Sequence, residues 1–464
     1  MTNRSEQDSA QGVTVPVVTV IDEARLSRYQ WQVAGLCLLV GIIDGFENGA
    51  IAYVAPALVD DLNIPLSDLG KIFAAGTIGM AVGAMLLGNI ADRWGRKQAI
   101  LLSVGIFGVA ALATAAAGDM STLIFWRFVA GIAIGGAQPV MVALLAEYSP
   151  ARHRNAAMVI GFLGTGSGAP ISALLTSAVV PSYGWQAVFI IGGVVPLLIL
   201  PWLAWVYPES IRFLVSRGPT NNTKVADTLN RIVGENKYRD SDTFVLTEQS
   251  APTASVSALL TPTYRRSTLA TWVVYFFNWI TWYMYLLWLP TALTESGLDI
   301  RQASLIGAVM GITALLTFLP GAAVIQHFGT RKSMIVLFSL GAVLALLLAS
   351  MGLQWGMITA LVIPFTVCVA LPQIALNYFC AELYPTPIRA TGLGWAISAG
   401  RLGSIIGSLI GGTVIAWWGI SGYFTSLGGP MLLATLCTLL FFSGKLSGDA
   451  NRINPAERDS VNPG

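Results

Sequence analysis

The sequence predicts an all-α integral membrane protein whose twelve transmembrane helices form two pseudo-symmetric six-helix bundles. The first observation behind this prediction is composition: 55% of the 464 residues are hydrophobic and only 11% are charged, whereas about 25% are charged in an average soluble domain. The second is hydropathy, which averages +0.67 over the chain. The third is the recurrence of apolar segments of about 20 residues, the length that crosses a bilayer as a helix.

Apolar segments of spanning length occur twelve times, and a long polar stretch separates six of them from the other six. The predicted domains are a cytoplasmic N-terminal tail (1–29), an N-terminal six-helix bundle (30–207), a cytoplasmic linker (208–268), a C-terminal six-helix bundle (269–444) and a cytoplasmic C-terminal tail (445–464). The predicted spans are 30–54, 70–92, 98–117, 121–147, 156–180, 185–207, 269–293, 303–327, 332–352, 355–380, 390–418 and 421–444.

Lysines and arginines are distributed asymmetrically between the two sets of loops. If the N-terminus lies in the cytoplasm, the tails and the cytoplasmic loops contain 22 of the 26 basic residues. The opposite side has only Lys71 and Arg301, while Arg127 and Arg401 fall inside predicted helices. Because cytoplasmic loops are enriched in basic residues, we expect both termini to be cytoplasmic. The expected location is the cell inner membrane.

The two halves repeat short patterns at the same predicted cytoplasmic corner. "AEYSPARHR" (146–154) and "AELYPTPIR" (381–389) share Ala-Glu, a proline three residues after the glutamate and an arginine seven residues after it. "DRWGRK" (92–97) corresponds to "QHFGTRK" (326–332) up to the glycine. Two six-helix halves related by a parallel repeat are typical of secondary transporters, which hold the substrate near the bilayer midplane between the halves.

Four formally charged side chains lie well inside the predicted spans, namely Asp44, Glu47, Arg127 and Arg401. Each costs at least about 2.5–3.5 kcal/mol at a helix centre, and such groups normally face a polar cavity. Asp44 and Glu47 share one face of the first helix with Asn48. At a rise of about 1.5 Å per residue, Glu47 and Arg127 both lie ~10 Å from the outer boundary. Arg127 is therefore the predicted partner of the acid pair.

The function expected of Asp44, Glu47 and Arg127 is proton coupling. A carboxylate that exchanges Arg127 for a proton can change its protonation state as access to solvent alternates. The two histidines, His153 and His327, fall at predicted cytoplasmic corners, so a carboxylate would carry any transported proton. The alternative is a static ion pair that holds the first and fourth spans together.

Glycines recur every fourth residue beside the acid pair, at Gly41, Gly45 and Gly49. In membranes, small residues at this spacing let two helix backbones approach closely. We therefore expect another helix to pack tightly along this stripe of the first span.

Arg401 lies near the predicted midplane of the eleventh span and has no acidic partner in its own half. A deep cation that faces a cavity suits an anionic substrate; neutralisation by helix carbonyls or by the acid pair is the alternative. Residues 272–290 of the seventh span are densely aromatic, which suits either stacking on a planar ligand or contact with lipid and protein. The amide side chains of Gln138, Gln373 and Asn377 suit either contact with a ligand or hydrogen bonds between helices. The candidate substrate-binding residues are Arg401, Arg127, Asn48, Gln138, Tyr275, Asn278, Trp279, Trp282, Tyr283, Gln373 and Asn377.

Three segments resemble signatures of the major facilitator superfamily. "GNIADRWGRK" (88–97) is similar to its loop between the second and third spans. "RFVAGIAIGG" (127–136) and "PESIRFL" (208–214) agree with the same family. The resemblance extends over essentially the whole chain and implies the major facilitator fold.

A narrower resemblance is to the aromatic acid:proton symporter family, which includes 4-hydroxybenzoate and protocatechuate carriers. It is carried by residues 26–58, by "WLPT" (288–291) and by "GRLG" (400–403). That family has Asp-Gly-x-Asp where this chain has Asp44-Gly45-Phe46-Glu47, so Glu47 keeps the charge but extends it by one methylene. The resemblance implies uptake of an aromatic carboxylate with protons, with both acids essential.

The loop signature also predicts a gate at the cytoplasmic side. Asp92 can pair with basic groups across the cytoplasmic seam, and neighbouring basic residues can bind helix ends and carboxylates such as Glu147. In the second half, "AVIQHFG" lacks the acidic residue often present at this corner. The alternative to a gate is that these basic residues only set the orientation of the protein, because basic residues concentrate in cytoplasmic loops. The candidate gating residues are Asp92, Arg93, Arg96, Lys97, Glu147, Arg154, Glu382 and Arg389.

The function expected from these features is proton-coupled import of an aromatic carboxylic acid by alternating access. A sugar porter or another organic-anion porter is the alternative within the superfamily. A receptor or an enzyme is disfavoured, because Gly70-Lys71 and Gly444-Lys445 are not followed by Ser or Thr as in a P-loop, and the sequence shows no metal-ligand cluster. The expected partners are the substrate, protons and the lipid bilayer, with no nucleic acid, no metal and no cofactor, and the expected oligomeric state is a monomer.

Overall fold

The computed structural model describes residues 13–246, 255–350 and 355–442, most of which are helical. The predicted C-terminal tail and residues 1–12 of the predicted N-terminal tail lie outside the described residues. Two short strands are present, β1 (Thr14–Pro16) and β2 (Thr243–Val245). The α-helices are α1 (Val17–Glu23), α2 (Arg28–Leu62), α3 (Leu66–Trp94), α4 (Arg96–Ala115), α5 (Met120–Tyr148), α6 (Arg154–Tyr183), α7 (Gln186–Val206), α8 (Ile211–Ser216), α9 (Asn222–Val233), α10 (Arg265–Glu295), α11 (Ile300–Phe328), α12 (Thr330–Ser350), α13 (Trp355–Leu383) and α14 (Thr386–Phe441).

The described helices account for the twelve predicted spans. Ten of them are long and apolar enough to cross a bilayer. The longest, α14, has 56 residues and is interrupted at Gly419, whose φ of +62° is not helical. Glycine adopts positive φ without steric cost, so α14 forms two successive spans, 386–418 and 420–441. The remaining span is α10, which is 31 residues long and more polar because of its tyrosines, asparagine and threonines.

The helices form two compact units. The first unit contains the described part of Met1–Ser250 together with Asp299–Gly311, and the second contains the described parts of Ala251–Leu298 and Ile312–Gly464. Whereas the predicted domains assign all of 269–444 to one bundle, the start of α11 groups with the first unit. A contact that accounts for this is the hydrogen bond that the Tyr53 hydroxyl donates to the Gly307 carbonyl at 3.4 Å.

The N-terminal segment and the linker fold together on the first unit. Strand β1 pairs in parallel with β2, and the backbone N–H of Val13 donates to the Asp242 carboxylate at 3.1 Å. Helix α9 buries one apolar face, which includes Val225, Leu229 and Ile232, in the hydrophobic core of this unit. These elements were not predicted from the sequence. They bring residues before the first span against the linker that follows the sixth.

In the second unit, α10 packs closely along α14. A Cβ atom at Gly403 or Gly407 of α14 would overlap the α10 backbone at Phe276 or Ile280. Small residues permit this distance between helices in a membrane. The close packing brings Arg401, at the preceding turn of α14, beside Trp279 of α10.

Candidate functional site

The acid pair on α2 is positioned by close packing against α6. Cβ atoms at Gly41, Gly45 and Gly49 would meet backbone or side-chain atoms of α6, and at Gly45 the obstacle is the Thr165 carbonyl. The predicted close contact along this glycine stripe is therefore present. It leaves the carboxylates with little access to solvent, since Asp44 is 2% exposed and Glu47 is 0% exposed.

Glu47 forms a buried ion pair with Arg127 of α5. A guanidinium nitrogen of Arg127 donates to Glu47 Oε2 at 2.9 Å, and the arginine is only 3% exposed. The guanidinium also lies over the Phe189 ring of α7, with its carbon 5.0 Å from the ring centroid. This contact favours the cation electrostatically. The ion pair that the predicted depths of Glu47 and Arg127 indicated is thus present. Side chains of α2, α5 and α7 meet there.

Asp44 lies in different surroundings. Among the described residues it forms no ion pair, and its buried Oδ1 has no hydrogen-bond partner. The side-chain polar group that faces it is the Thr165 hydroxyl of α6, which is also buried and unpaired. The sequence predicted one acid cluster sharing Arg127, whereas the structure separates an ion-paired glutamate from an unpaired aspartate one turn away.

In the second unit, Arg401 lies against an aromatic stack. Its guanidinium carbon is 5.6 Å from the centroid of the Trp279 ring. Trp279 stacks in turn on Tyr283, with centroids 5.8 Å apart and planes at 24°. Arg401 is half-buried, and its buried Nη1 has no hydrogen-bond partner among the described residues. A cation with an unused donor therefore lies against the half-buried Trp279 ring.

A hydrogen-bond network links α10 to α13 beside this stack. Gln373 Oε1 accepts from the Trp279 indole N–H at 2.7 Å and from the Asn278 amide at 3.0 Å. The Tyr275 hydroxyl donates to Asn377 Oδ1 at 2.7 Å. The hydrogen bonds between helices that were one expected role of Gln373 and Asn377 are therefore present. Gln373 remains half-buried and Asn377 exposed, so both retain surface for a ligand.

Three other candidate substrate-binding residues are not part of either cluster. Asn48, Gln138 and Trp282 are each half-buried. None of them forms a hydrogen bond with another residue in the part of the chain that the structure describes. Their proposed contact with a substrate stays a prediction.

The end of the first unit that we expect to face the cytoplasm contains a network centred on Glu147. Arg96 forms an ion pair with Glu147 at 2.5 Å, and the Ser210 hydroxyl donates to the same carboxylate at 2.5 Å. Glu209 Oε1 accepts the backbone N–H groups of Arg96 at 2.7 Å and Lys97 at 3.2 Å. These N–H groups begin α4, where an acidic group interacts favourably with the helix dipole. The network ties α4 and α5 to the segment after α7.

The other candidate gating residues of this unit contact other groups. Arg154 pairs with Asp22 of α1 at 2.5 Å, because α1 packs beside the start of α6 and Glu147 is already paired with Arg96. Asp92 is exposed and forms no ion pair with the described residues of its unit. The carbonyl of Arg93 accepts a hydrogen bond from Arg217.

Among the residues that the structure describes, the equivalent corner of the second unit has no ion pair. Glu382 accepts a hydrogen bond from the Thr330 hydroxyl at 2.8 Å, where the first unit has Arg96 donating to Glu147. Arg389 donates to the Tyr384 carbonyl at 3.2 Å. A hydroxyl in place of a guanidinium makes a weaker contact with a carboxylate. The two corners thus share a sequence pattern and differ in the group that the glutamate contacts.

Several residues of these clusters were not singled out from the sequence. Glu209 and Ser210 lie in "PESIRFL", so the motif quoted for the family resemblance was a usable signal. Thr165 and Asp22 had none, because each meets its partner only through the packing of another helix.

Comparisons with known proteins agree with this architecture. A model described as the Major Facilitator Superfamily matches residues 37–269 and 271–462. The chain belongs to the major facilitator superfamily. It is 34% identical to a gallate transporter of Pseudomonas putida over 90% of this chain and 93% of the relative. It is also 34% identical to the 4-hydroxybenzoate transporter PcaK of Pseudomonas putida, over 93% and 97%.

Solved structures support the fold of this major facilitator protein. A crystal structure of a D-xylose-proton symporter superposes with a TM-score of 0.70, covering 89% of this chain and 98% of that one. The sequence identity is 17%, so the likeness concerns the fold alone. The relatives confirm the predicted resemblance to aromatic acid transporters.

Proposed function

We propose that this major facilitator protein imports an aromatic carboxylic acid together with protons by alternating access. The observation that carries the proposal is the unpartnered guanidinium of Arg401 on the Trp279–Tyr283 stack. A guanidinium binds a carboxylate through paired charge-assisted hydrogen bonds, and an indole offers a flat surface for an aromatic ring. The carboxylate and the aromatic ring of such a substrate therefore each have a complementary group in the second unit.

The amides beside the stack support a hydroxylated ring as substrate. Gln373 uses one acceptor for two donors of α10, which leaves its amide N–H groups for an external acceptor. Asn377 is exposed at the next turn of α13. The relatives are named as transporters of gallate and 4-hydroxybenzoate, both hydroxylated aromatic acids. We propose a substrate of this class.

Asp44 is the proposed proton carrier. An ionised carboxylate that is buried without a cation is costly, because no charge or solvent replaces its hydration. The Thr165 hydroxyl that faces Asp44 is a suitable acceptor for a carboxylic acid proton. Glu47 already has a cation in Arg127, so we assign it the role of holding α5 in the proton-free state.

The direction of charge movement follows from the membrane potential. Moving one charge through 100 mV changes the free energy by about 2.3 kcal/mol. Import of a monoanion against an inside-negative potential is favoured by that potential only if more than one proton accompanies it. We propose that transport is electrogenic, in the inner membrane, with both termini cytoplasmic. The working unit is proposed to be a monomer without a cofactor.

The Arg96–Glu147–Ser210 network is the proposed cytoplasmic gate contact of the first unit. It joins charged groups on α4 and α5 to the chain after α7. Breaking it would free helix ends that are fixed together in this structure. Asp92, which is exposed, is proposed to complete the gate in the closed state.

The proposal is tested with purified protein in proteoliposomes. Uptake of labelled 4-hydroxybenzoate is measured with an inward proton gradient and again after a protonophore. We expect accumulation above equilibrium only with the gradient, and competition by gallate and benzoate but not by xylose. Competition by xylose alone would identify a sugar porter. Accumulation that is insensitive to the protonophore would exclude proton coupling.

A further inference from the structure

A cleft of about 300 Å³ lies at the cytoplasmic end of the first unit. It lies among the first turns of α2, the end of α7 and the linker helix α9. Its lining includes Tyr29, Gln32, Val33, Leu36, Trp205 and Arg231. None of these residues belongs to the clusters described above.

The ends of two spanning helices put the cleft at the membrane boundary. α2 begins at Arg28 and α7 ends at Val206, both on the side we assign to the cytoplasm. Trp205 is 84% exposed and Trp31 is 58% exposed. Tryptophan side chains of this kind concentrate at the level of the lipid headgroups. The cleft therefore opens where a headgroup is available.

The charge in the cleft comes from Arg231 of α9. Asp227 lies four residues earlier on the same helix, which is the spacing of a favourable ion pair. Arg231 nevertheless forms no ion pair with any described residue, and its guanidinium carbon lies over the Tyr29 ring, 5.7 Å from the centroid. The cation is thus directed towards α2, where Gln32 is exposed and available as a hydrogen-bond donor.

We propose that this cleft binds the headgroup of an acidic phospholipid of the cytoplasmic leaflet. The lipid phosphate pairs with Arg231, and Gln32 and Tyr29 bind its oxygens. One acyl chain lies along the exposed Trp205 ring. Basic pockets between helices on the cytoplasmic side bind such headgroups. The lipid would hold the linker helix α9 against the first span, independently of the substrate.

The test counts lipids that remain bound to purified protein by native mass spectrometry. The protein in mild detergent is titrated with cardiolipin, phosphatidylglycerol or phosphatidylcholine. We expect selective retention of the two acidic lipids, and a loss of about fivefold in Arg231→Gln, in keeping with the contribution of one basic residue at a membrane surface. Arg231→Lys should retain most of the binding. The matched control is Arg239→Gln, an exposed linker arginine outside the cleft, which should bind as wild type.

Three outcomes would overturn the assignment. Equal retention of phosphatidylcholine would show that the cleft does not select an anionic headgroup. Unchanged binding in Arg231→Gln would place the lipid elsewhere. Displacement of the lipid by millimolar inorganic phosphate would identify a site for free phosphate. Because the readout is lipid occupancy, none of these results depends on the proposed transport activity.

Discussion

Glu47 accepts a hydrogen bond from Arg127 at 2.9 Å in a site where neither residue is more than 3% exposed. Asp44, one turn earlier on α2, has no such partner. A buried ion pair loses more free energy when one partner is removed than when both are replaced. Because Glu47 has a charged partner and Asp44 has none, mutations can separate the roles of the two acids.

Replacing one member of the ion pair should destabilise the protein. We expect Glu47→Gln or Arg127→Gln to lower the free energy of unfolding by about 3–5 kcal/mol, because each leaves a buried charge unpaired. The double variant should recover part of this loss. Thermal unfolding in detergent measures all three proteins. Additive losses in the double variant would show that the two side chains are not coupled.

Asp44→Asn should separate coupling from binding. The amide has nearly the same shape and needs no proton, so we expect proton-driven accumulation to be lost while substrate exchange at equal concentrations continues. Uptake and counterflow in the same proteoliposomes measure the two activities. Glu47→Gln should impair both. The assignment of Asp44 fails if Asp44→Asn still accumulates substrate under a proton gradient.

Thr165→Val should alter the pH dependence of uptake. The substitution preserves the shape and removes the hydroxyl that faces Asp44, so the protonated and the ionised carboxyl lose a neighbouring hydrogen-bonding group to different extents. The pH of half-maximal uptake should therefore shift away from the wild-type value. Thr165→Ser retains the hydroxyl and should follow the wild-type profile. Identical profiles for Val and wild type would remove Thr165 from the proton site.

Arg401→Gln should weaken binding of the carboxylate. Hydrogen bonds to a charged group contribute about 1.5–3 kcal/mol, so we expect the dissociation constant of 4-hydroxybenzoate to rise roughly tenfold to a hundredfold. The neutral analogue 4-hydroxybenzyl alcohol should bind both proteins equally. Quenching of tryptophan fluorescence measures the affinities. Equal affinity of the acid for both proteins would show that Arg401 does not contact it.

Gly45→Ala should disrupt the α2–α6 contact. A Cβ atom there overlaps the Thr165 backbone, and overpacking of this kind costs about 1–3 kcal/mol. Gly35→Ala on the same helix meets no atom within 4 Å and should be neutral or stabilising, because alanine favours a helix. Melting temperatures compare the two variants. Similar temperatures would contradict the close approach.

The sequence by itself determined the spans and the residues worth examining. A spanning segment that is not part of a closed barrel must pair its backbone groups within a helix, so composition and the length of the apolar segments suffice to locate the spans. The predicted depths of Glu47 and Arg127 in the membrane were similar. This was enough to pair them, because few charged residues lie inside the spans. The aromatic residues of the seventh span and Arg401 were also identified from the sequence, by their position inside predicted spans.

Only the tertiary structure decided which neighbours those residues have. Asp44 is unpaired because the Gly45 contact brings α6, with Thr165, against its face of α2. Arg154 pairs with Asp22 because the segment before α2 folds back onto the start of α6. Contacts of this kind join residues more than 100 positions apart in the chain, and their geometry is fixed by helix packing, which leaves no local periodicity to read.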